Sequence, residues 1–470
     1  GKRVAMRNNI VELMTDPLTP LFKTFGLAAV NASMDRQMVG FLGDNSVLPE
    51  DPIIAVNEYA YYNGSVRFGP MFKIILDTRG ILKRMFTGAV ERWTEVGRPQ
   101  YLKIVRDWDT RPWRELPSVE ILEAARHLAE AAIDAYIALV SGVIPAAWMS
   151  EAWFTWTYKF VRRDGDPQAP TFLMGFNSLP IRAEKALYDL ARWAQEHDSL
   201  RNYLLDTPTD QLVMSLGSVD CPQTVSADTW QFWQNRFQVY LENCGHMIYN
   251  LDFGNPVPAD DPAPVMDTFK LFLSGKGVNP HERQQSLENR RKVAIWEIQS
   301  RLRGRRLRSF QKNLARAQKY APLREDGLAD VGLSYPLLRK MLREIGSRLV
   351  DVGMIEQTDD VFWLVKDELE DASNALDRGQ PLGNHSNIIE HRKAVWRAAC
   401  KASPPMALPQ IKIFGIDLMA LKSAGRKKAK GDALKGVAAS PGIVSAPACV
   451  LHGPKDFAKM NVGDVLVASI

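Results

Sequence analysis

The feature that most constrains the fold is a helical spacing of apolar residues that begins at Ser118 and continues through much of the chain. In the first such segment, apolar side chains return every three or four residues, at Ile121, Ala125, Leu128, Ala132, Tyr136 and Val140. This spacing places them on one face of an α-helix. Few segments alternate polar and apolar residues with period two. The pattern therefore predicts a mainly α fold of long antiparallel helices.

The same spacing predicts five further helices. Their expected ranges are 180–196, 227–249, 264–272, 281–320 and 337–352. Before residue 116 the sequence is mixed, because turn-rich stretches flank short apolar runs, and residues 59–62 and 64–68 look like strands. We expect a small mixed α/β part at 1–115 and a large antiparallel helical domain at 116–421.

A polar and basic stretch, KSAGRKKAKGDALK at 422–435, has the composition of an exposed linker. After it, short β-type runs broken by Gly and Pro fill 436–470. We therefore expect an incomplete β-containing domain at 436–470. The chain lacks an initiator Met and its last run is strand-like up to Ile470, so we expect both ends to be cuts in a longer protein.

Composition limits the class of protein. A length of 470 residues suffices for roughly two to four domains. The four cysteines form no CxxC pair, which argues against a disulfide framework and against a zinc site. No apolar run reaches about 18 residues, and the N-terminus has no signal-peptide stretch. We expect a soluble cytoplasmic protein with no membrane partner.

Arginines concentrate at 301–308, in the sequence RLRGRRLR, and three more basic residues follow by position 319, although the net charge of the whole chain is only +5. Apolar residues run through the same segment at near-helical spacing, at Leu302, Leu307, Phe310 and Leu314. The simplest interpretation is the solvated face of an amphipathic helix. The alternative is a binding surface for an anion or a nucleic acid.

The last segment carries the most specific motif. GVAASPGIVSAPACVL at 436–451 is followed by VGDVLVAS at 462–469. Pro441 and Gly442 suit a sharp turn between strands. The two runs resemble the opening of the swivelling phosphohistidine domain of phosphoenolpyruvate-utilising enzymes, whose pattern is G-x-x-x-S-P-G-x-x-x-G and then G-D-x-L-V. Ala446 stands where that family often has Gly.

Three shorter motifs lie in the rest of the chain. They are NIVE at 9–12 with DPLTPL at 16–21, CGH at 244–246, and DDVFWL at 359–364 with EL at 368–369. In this order they resemble the helical intermediate domain of rifampicin phosphotransferases and phenylphosphate-synthase-like proteins.

The resemblance implies an ATP-dependent, dikinase-like phosphotransferase. In the family, an ATP-grasp module binds ATP and Mg²⁺, and a mobile histidine in a T-x-x-G-G-x-x-S-H type motif passes the phosphoryl group to an acceptor. None of the seven histidines here follows Gly-Gly or Ser, so the resemblance places the phosphohistidine beyond Ile470. The ATP-grasp domain or subunit, with its ATP and Mg²⁺, is likewise expected outside this chain. The region present would bind a small hydroxyl acceptor, for example an aromatic one, and be inactive alone.

The resemblance also points to candidate acceptor-binding residues. Glu12 and Thr19 lie in its opening motif, although Thr19 is equally suited to cap a helix beginning at Pro20. His246 follows a predicted helix end, where the imidazole could accept the proton of the acceptor hydroxyl. It could equally meet the last carbonyl groups of that helix.

Trp153 and Trp156 belong to a dense aromatic group at 148–160. Such a group could line a pocket for an aromatic acceptor or simply pack in the core. An acidic loop at 250–262 has metal-binding residue types, but its prolines indicate an ordinary solvent loop, so no metal site is predicted. Asp359 and Asp360 suit helix capping.

Three alternatives remain open. The chain could belong to a phosphoenolpyruvate synthase proper that acts on pyruvate. It could be a non-catalytic helical scaffold that binds a partner, or a nucleic-acid-binding protein that uses the basic segment at 301–319. The expected partners are a small-molecule acceptor and the ATP-grasp domain or subunit, and nucleic acid is not among them.

Overall fold

The computed structural model describes residues 5–7, 13–42, 49–63, 80, 88–218, 220–402, 404–405, 407–408, 412–413, 416–417, 444–451, 459–461 and 463–468. The chain divides into two compact units, Gly1–Leu408 and Pro409–Ile470. The first unit is dominated by helices, which confirms the mainly α fold.

A small antiparallel sheet lies in the first unit. Its strands are β1 (Ala5–Met6), β2 (Ile53–Val56), β3 (Tyr59–Asn63) and β4 (Ala407–Leu408), in the spatial order β2-β3-β1-β4. A two-residue turn joins β2 to β3, and both of its residues, Asn57 and Glu58, have positive φ, as tight hairpins require. The strand expected at 59–62 is confirmed, and the one expected at 64–68 lies outside the described residues.

The helices account for most of the first unit. In chain order they are α1 (Leu27–Leu42), α2 (Arg98–Asp109), α3 (Ser118–Ala138), α4 (Ile144–Lys159), α5 (Leu179–Gln195), α6 (Asp198–Asp206), α7 (Thr209–Ser215), α8 (Ala227–Cys244), α9 (Ala263–Leu273), α10 (Pro280–Arg301), α11 (Gly304–Asp330), α12 (Tyr335–Asp351), α13 (Lys366–Asp377) and α14 (Ser386–Cys400).

Shorter helical turns connect these helices. They are the π-helical turns Phe22–Gly26, Arg92–Gly97 and Leu139–Val143, the three-residue turn Ala89–Glu91, and the 3₁₀ turns Trp113–Glu115, Ala169–Leu173, Val331–Ser334 and Thr358–Trp363.

Helix α3 lies at the centre of the largest core and packs against α1, α2, α12 and α13. Its predicted apolar face is confirmed, since Ile121, Leu128 and Tyr136 are all buried. Within the described residues, the run Ser118–Lys159 is also long and apolar enough to cross a membrane. Because 61% of its most apolar window is buried inside the protein, the run has the character of a core helix.

Two smaller cores complete the first unit. Helices α5 to α9 pack around Trp230, Trp233 and Phe237. Helices α4, α10 and α11, with the turn Ala169–Leu173, pack around Phe154, Phe172 and other aromatic side chains. The second and third cores meet along α5 and α10, where the candidate site is found.

The single helix predicted at 281–320 is wrong. The structure has two helices there, which separate at Leu302 and Arg303, both with extended backbone. Gly304 then has a positive φ of 57°, a conformation that glycine adopts without the steric cost borne by other residues. The helix predicted at 227–249 ends early, at Cys244, while those predicted at 180–196, 264–272 and 337–352 are confirmed to within two residues.

The second unit contains two pairs of short strands. Strands β5 (Lys412–Ile413) and β6 (Ile416–Asp417) are antiparallel, and β7 (Ala448–Leu451) and β8 (Val465–Ala468) are parallel. Strands are therefore present at two of the expected β-type runs, and residues 436–443 of the first run lie outside the described residues. The linker expected at 422–435 lies outside the described residues, and the domain boundaries stay predictions.

Candidate functional site

Thr19 is buried and is held by a distant carboxylate. Its backbone N–H donates to Oδ2 of Asp252 over 2.6 Å, and its hydroxyl donates to Oδ1 over 2.8 Å. The Gly254 N–H also donates to Oδ1, over 2.7 Å. At the same time the Thr19 hydroxyl accepts a longer bond from the Phe22 N–H, as a helix cap does. The side chain of Thr19 is thus engaged on both sides within the protein.

Burial determines the electrostatics of the contact between Thr19 and Asp252. Desolvation raises the pKa of Asp252 to about 6, although the hydrogen bonds from Thr19 and Gly254 and the charge of Arg339 all act to lower it. Tyr335 donates to the Leu251 carbonyl oxygen over 2.5 Å and fixes the same loop to α12. This arrangement joins the start of the chain to the loop after α8.

The acidic loop has protein partners for two of its aspartates. Asp252 binds Thr19, and Asp260 forms a buried ion pair with Arg339 of α12. Arg339 also donates to the Phe253 carbonyl oxygen and stacks over the Phe362 ring, 4.5 Å from its centroid. Within the described residues, no group of three or more His, Cys, Asp and Glu side chains could hold a metal.

His246 lies two residues after the end of α8, and its ring is buried, with 7% of the residue exposed. Its Nε2 has no hydrogen-bond partner among the residues that the structure describes. Burial lowers the pKa of His246, and the nearby Asp330 opposes that effect only in part. The last turn of α8 is capped by backbone, since the Gly245 N–H donates to the carbonyl oxygen of Leu241. The imidazole is therefore a neutral group enclosed by protein.

The aromatic group at 148–160 divides into two sets. Phe154 and Tyr158 are buried in the third core. Trp153 and Trp156 lie on the opposite face of α4, and about half of each side chain is exposed, at 52% and 51%. Packing in the core therefore explains Phe154 and Tyr158. Trp153 and Trp156 do not line either of the depressions described below.

Two adjacent depressions lie beside α10, and both are also bordered by α5. The larger is an open cleft of about 940 Å³ along α10, bordered by Pro167 and Lys185. The smaller pocket, of about 310 Å³, lies between the start of α5, the start of α10 and the proline in α11. Gln284 lines both of them.

The wall of the smaller pocket is the segment 173–178, which is held in place by side chains of α10. Gln284 donates to the Gly175 carbonyl oxygen over 2.9 Å, and Arg291 donates to Met174 over 2.6 Å. Arg291 also lies over the Phe176 ring, 4.0 Å from its centroid. Gly175 has a positive φ of 74°, and a Cβ there would overlap the backbone of Glu288. Glycine thus allows this wall to reach α10.

The lining of the pocket combines mainly apolar residues with two arginines. Its apolar lining comes from Leu173, Phe176, Pro180, Ile181, Leu287, Ala321 and Pro322. Two arginines also line it, Arg283 paired with Glu184 and Arg324 paired with Glu325. A prolyl residue inside a helix removes one backbone donor and crowds the preceding turn, so Pro322 shapes this wall.

The structure does not gather the four described residues, of the five predicted from sequence, into one site. Thr19 and His246 are buried and share no described hydrogen bond, Trp153 and Trp156 are on the surface of α4, and Glu12 lies outside the described residues. None of the four described residues lines either depression. The lining residues carry one sequence signal that was available, a proline within a helical stretch at 322.

Comparison with known proteins gives a match over the same region. Residues 136–325 match the model of the rifampicin phosphotransferase fourth domain. A rifampicin phosphotransferase of Streptomyces sviceus is 25% identical over 297 residues, which cover 60% of this chain and 31% of that protein. A second one, from another Streptomyces, is 26% identical over 248 residues, which cover 50% of this chain and 26% of that protein.

A protein of Mycobacterium tuberculosis without an assigned function is 30% identical over 134 residues, or 28% of this chain and 14% of that protein. The alignments therefore span less than a third of the length of each of these relatives. They confirm the family resemblance seen in the sequence motifs.

Proposed function

We propose that the helical region of the chain binds the acceptor of a phosphoryl transfer, because residues 136–325 match a domain of rifampicin phosphotransferase and two similar proteins are rifampicin phosphotransferases. The observation that carries this proposal is that the smaller pocket lies within the family match. Every residue that lines the smaller pocket falls within 136–325, the part that matches the rifampicin phosphotransferase domain.

The pocket suits a small aromatic hydroxyl compound. Its volume of about 310 Å³ is at the lower end of the range in which proteins bind small molecules. Phe176, Ile181 and Pro322 offer apolar surface to a ring. A hydroxyl group could then lie toward the polar side chains of the lining.

The lining of the pocket also supplies charge of the sign that phosphoryl transfer needs. Negative charge spreads over the transferred phosphoryl oxygens, and fixed cations stabilise it. Arg283 and Arg324 are the cations available. In the free protein each is paired with a glutamate, which balances its charge until an anion approaches.

The remaining components belong to the proposal for the whole enzyme. ATP and Mg²⁺ would bind an ATP-grasp domain or subunit, and a mobile phosphohistidine outside this chain would carry the phosphoryl group. On this proposal the chain binds the acceptor but transfers nothing by itself, and the enzyme works in the cytoplasm. His246 remains the proposed base only if a rearrangement exposes its ring.

The test is calorimetric titration of the chain with three classes of compound: simple phenols, a rifamycin macrocycle and pyruvate. Ile181→Trp places a larger side chain in the pocket, and Val239→Trp makes the same change on an exposed face of α8 as the matched control. We expect saturable binding of an aromatic hydroxyl compound that weakens at least about tenfold in Ile181→Trp, the loss expected when a side chain blocks an apolar pocket, and not in Val239→Trp.

Two outcomes contradict the proposal. Binding of pyruvate alone would favour a phosphoenolpyruvate synthase. No binding of any class by a folded chain would favour a non-catalytic scaffold. Circular dichroism of both variants confirms that they fold, so that a loss of binding is not a loss of structure.

A further inference from the structure

Helices α4 and α11 pack side by side and run antiparallel. Leu139, just before α4, lies against Gly327 near the end of α11, and Phe154 lies against Phe310 near the start of α11. Thr157 and Asn313 are joined by a hydrogen bond of 3.2 Å. The buried aromatic side chains lie between the two helices, so the opposite face of each is open to solvent.

A line of cations follows the open face of α11. We call Arg305, Arg308, Lys312 and Arg316 the basic stripe; all four are exposed. At 1.5 Å per residue they are about 4.5–6 Å apart along the axis and span about 16 Å. No Asp or Glu occurs from Ile298 to Arg324. Like charges three and four residues apart destabilise a helix, so helix formation does not account for the stripe.

The protein does not neutralise this stripe. Among the described residues, none of its four cations forms an ion pair with a carboxylate. The flanking cations differ, because Arg301 pairs with Asp166 and Lys319 pairs with Glu91. The stripe therefore presents uncompensated positive charge between two points where that charge is balanced.

The open face of α4 carries exposed rings. We call Trp153, Trp156 and Phe160 the aromatic stripe; their exposures are 52%, 51% and 69%. The rings of Trp153 and Trp156 are 5.2 Å apart, and those of Trp156 and Phe160 are 4.9 Å apart. Successive residues of an α-helix are rotated by about 100° about its axis, so each stripe lies to one side of the buried face of its own helix. Because α4 and α11 are antiparallel, these two sides coincide, and both stripes face the same side of the helix pair.

We propose that this surface, independently of the acceptor pocket, binds single-stranded nucleic acid. A line of mainly arginine side chains suits a row of phosphates, and exposed rings beside it offer faces on which bases stack. A lipid surface would also accept exposed rings beside cations, so competition by phosphatidylserine vesicles is an outcome that would overturn this assignment. An acidic protein would satisfy the cations but would leave the rings without a planar partner.

The test is fluorescence anisotropy of a labelled oligothymidylate of about 16 nucleotides with the whole chain. We expect binding that weakens at least about tenfold between about 50 and 200 mM salt. The double variant Arg308→Gln with Lys312→Gln should lower the slope of log affinity against log salt by about 1.4, or about 0.7 for each lost phosphate contact. Trp156→Ala should weaken binding about tenfold and leave the slope unchanged.

Matched controls separate this surface from general adhesion. Trp296→Ala removes an exposed ring on α10, and Lys276→Gln removes an exposed cation after α9; neither should alter binding. Several results overturn the proposal: no anisotropy change at low salt, normal binding by Trp156→Ala, or equal competition by polyglutamate or by phosphatidylserine vesicles. Acceptor binding is measured separately, so either proposal can fail alone.

Discussion

Replacing Asp252 with asparagine is expected to remove a pH-dependent part of the free energy of unfolding. Burial raises the pKa of this carboxyl from 3.8 to about 6 in the folded chain. That difference of about two pH units corresponds to about 3 kcal/mol, at about 1.4 kcal/mol per unit. Asparagine has nearly the same shape and does not titrate. Its NH2 group cannot accept a hydrogen bond, so the variant loses at least one of the three bonds at every pH, and only the pH dependence of the difference in stability reports the charge.

The sign follows from where the proton binds more tightly. The folded state has the higher pKa and therefore holds more protons than the unfolded state between about pH 4 and pH 6. The contribution of Asp252 to stability is thus largest below about pH 4 and falls as the pH rises through that window. Above about pH 6 the charged carboxylate is buried at its full cost, which three hydrogen bonds offset only in part.

The assay is urea unfolding followed by circular dichroism at pH 4.5 and pH 7.5, for the native chain and for Asp252→Asn. Other titrating groups are common to both proteins, so they cancel in the difference. On going from pH 7.5 to pH 4.5, the free energy of unfolding of the native chain should rise by about 2 kcal/mol relative to that of the variant. This is most of the roughly 3 kcal/mol that the whole pKa difference provides. If the difference in unfolding free energy between the two proteins were the same at both pH values, burial would not raise the pKa of Asp252 as described.

Two further substitutions test close contacts in the first unit. Gly332→Ala should destabilise the chain by about 2–3 kcal/mol, because a Cβ would overlap the carbonyl oxygen of His246, and a thermal midpoint equal to that of the native chain would contradict this. Arg339→Met should cost about 3–5 kcal/mol, because it leaves the buried Asp260 without its cation. The control Arg343→Met removes an exposed ion pair and should cost less than about 1 kcal/mol, and similar losses in both would show that burial does not matter.

Helical periodicity predicted much of the fold because most helices here have one buried face. The helix at Ser118 and its apolar positions follow directly from that spacing. The break at Leu302 and Arg303 was missed, because arginine and leucine both favour helices and only Gly304 signals a change. A glycine within a helical pattern costs only about 1 kcal/mol, so alone it does not predict a break.

The contacts of the predicted site residues could not be read from the sequence. Thr19 and Asp252 are 233 positions apart, and only the tertiary fold brings them together. The division of the aromatic group was more accessible, since Phe154 and Tyr158 are four residues apart on one helical face and Trp153 and Trp156 lie on another.

The pocket beside Pro322 brings together residues from three separate segments. No local pattern encodes such a meeting, because each segment by itself is an ordinary stretch of helix or turn. Family resemblance did point to the region, but it gave no lining residue. Sequence reasoning therefore reached the class of protein and the helical architecture, and it did not reach the cavity.

The most direct test of the central claim is hydrogen–deuterium exchange of the chain with and without the aromatic hydroxyl compound that binds it best. Amide groups in 173–181, 283–287 and 321–325 surround the pocket and should exchange more slowly when the compound is bound. The rest of the chain should be unaffected apart from small changes in α5, α10 and α11. Protection confined to the residues around Thr19 and Asp252, or to the aromatic stripe, would contradict the claim that the acceptor binds in the pocket.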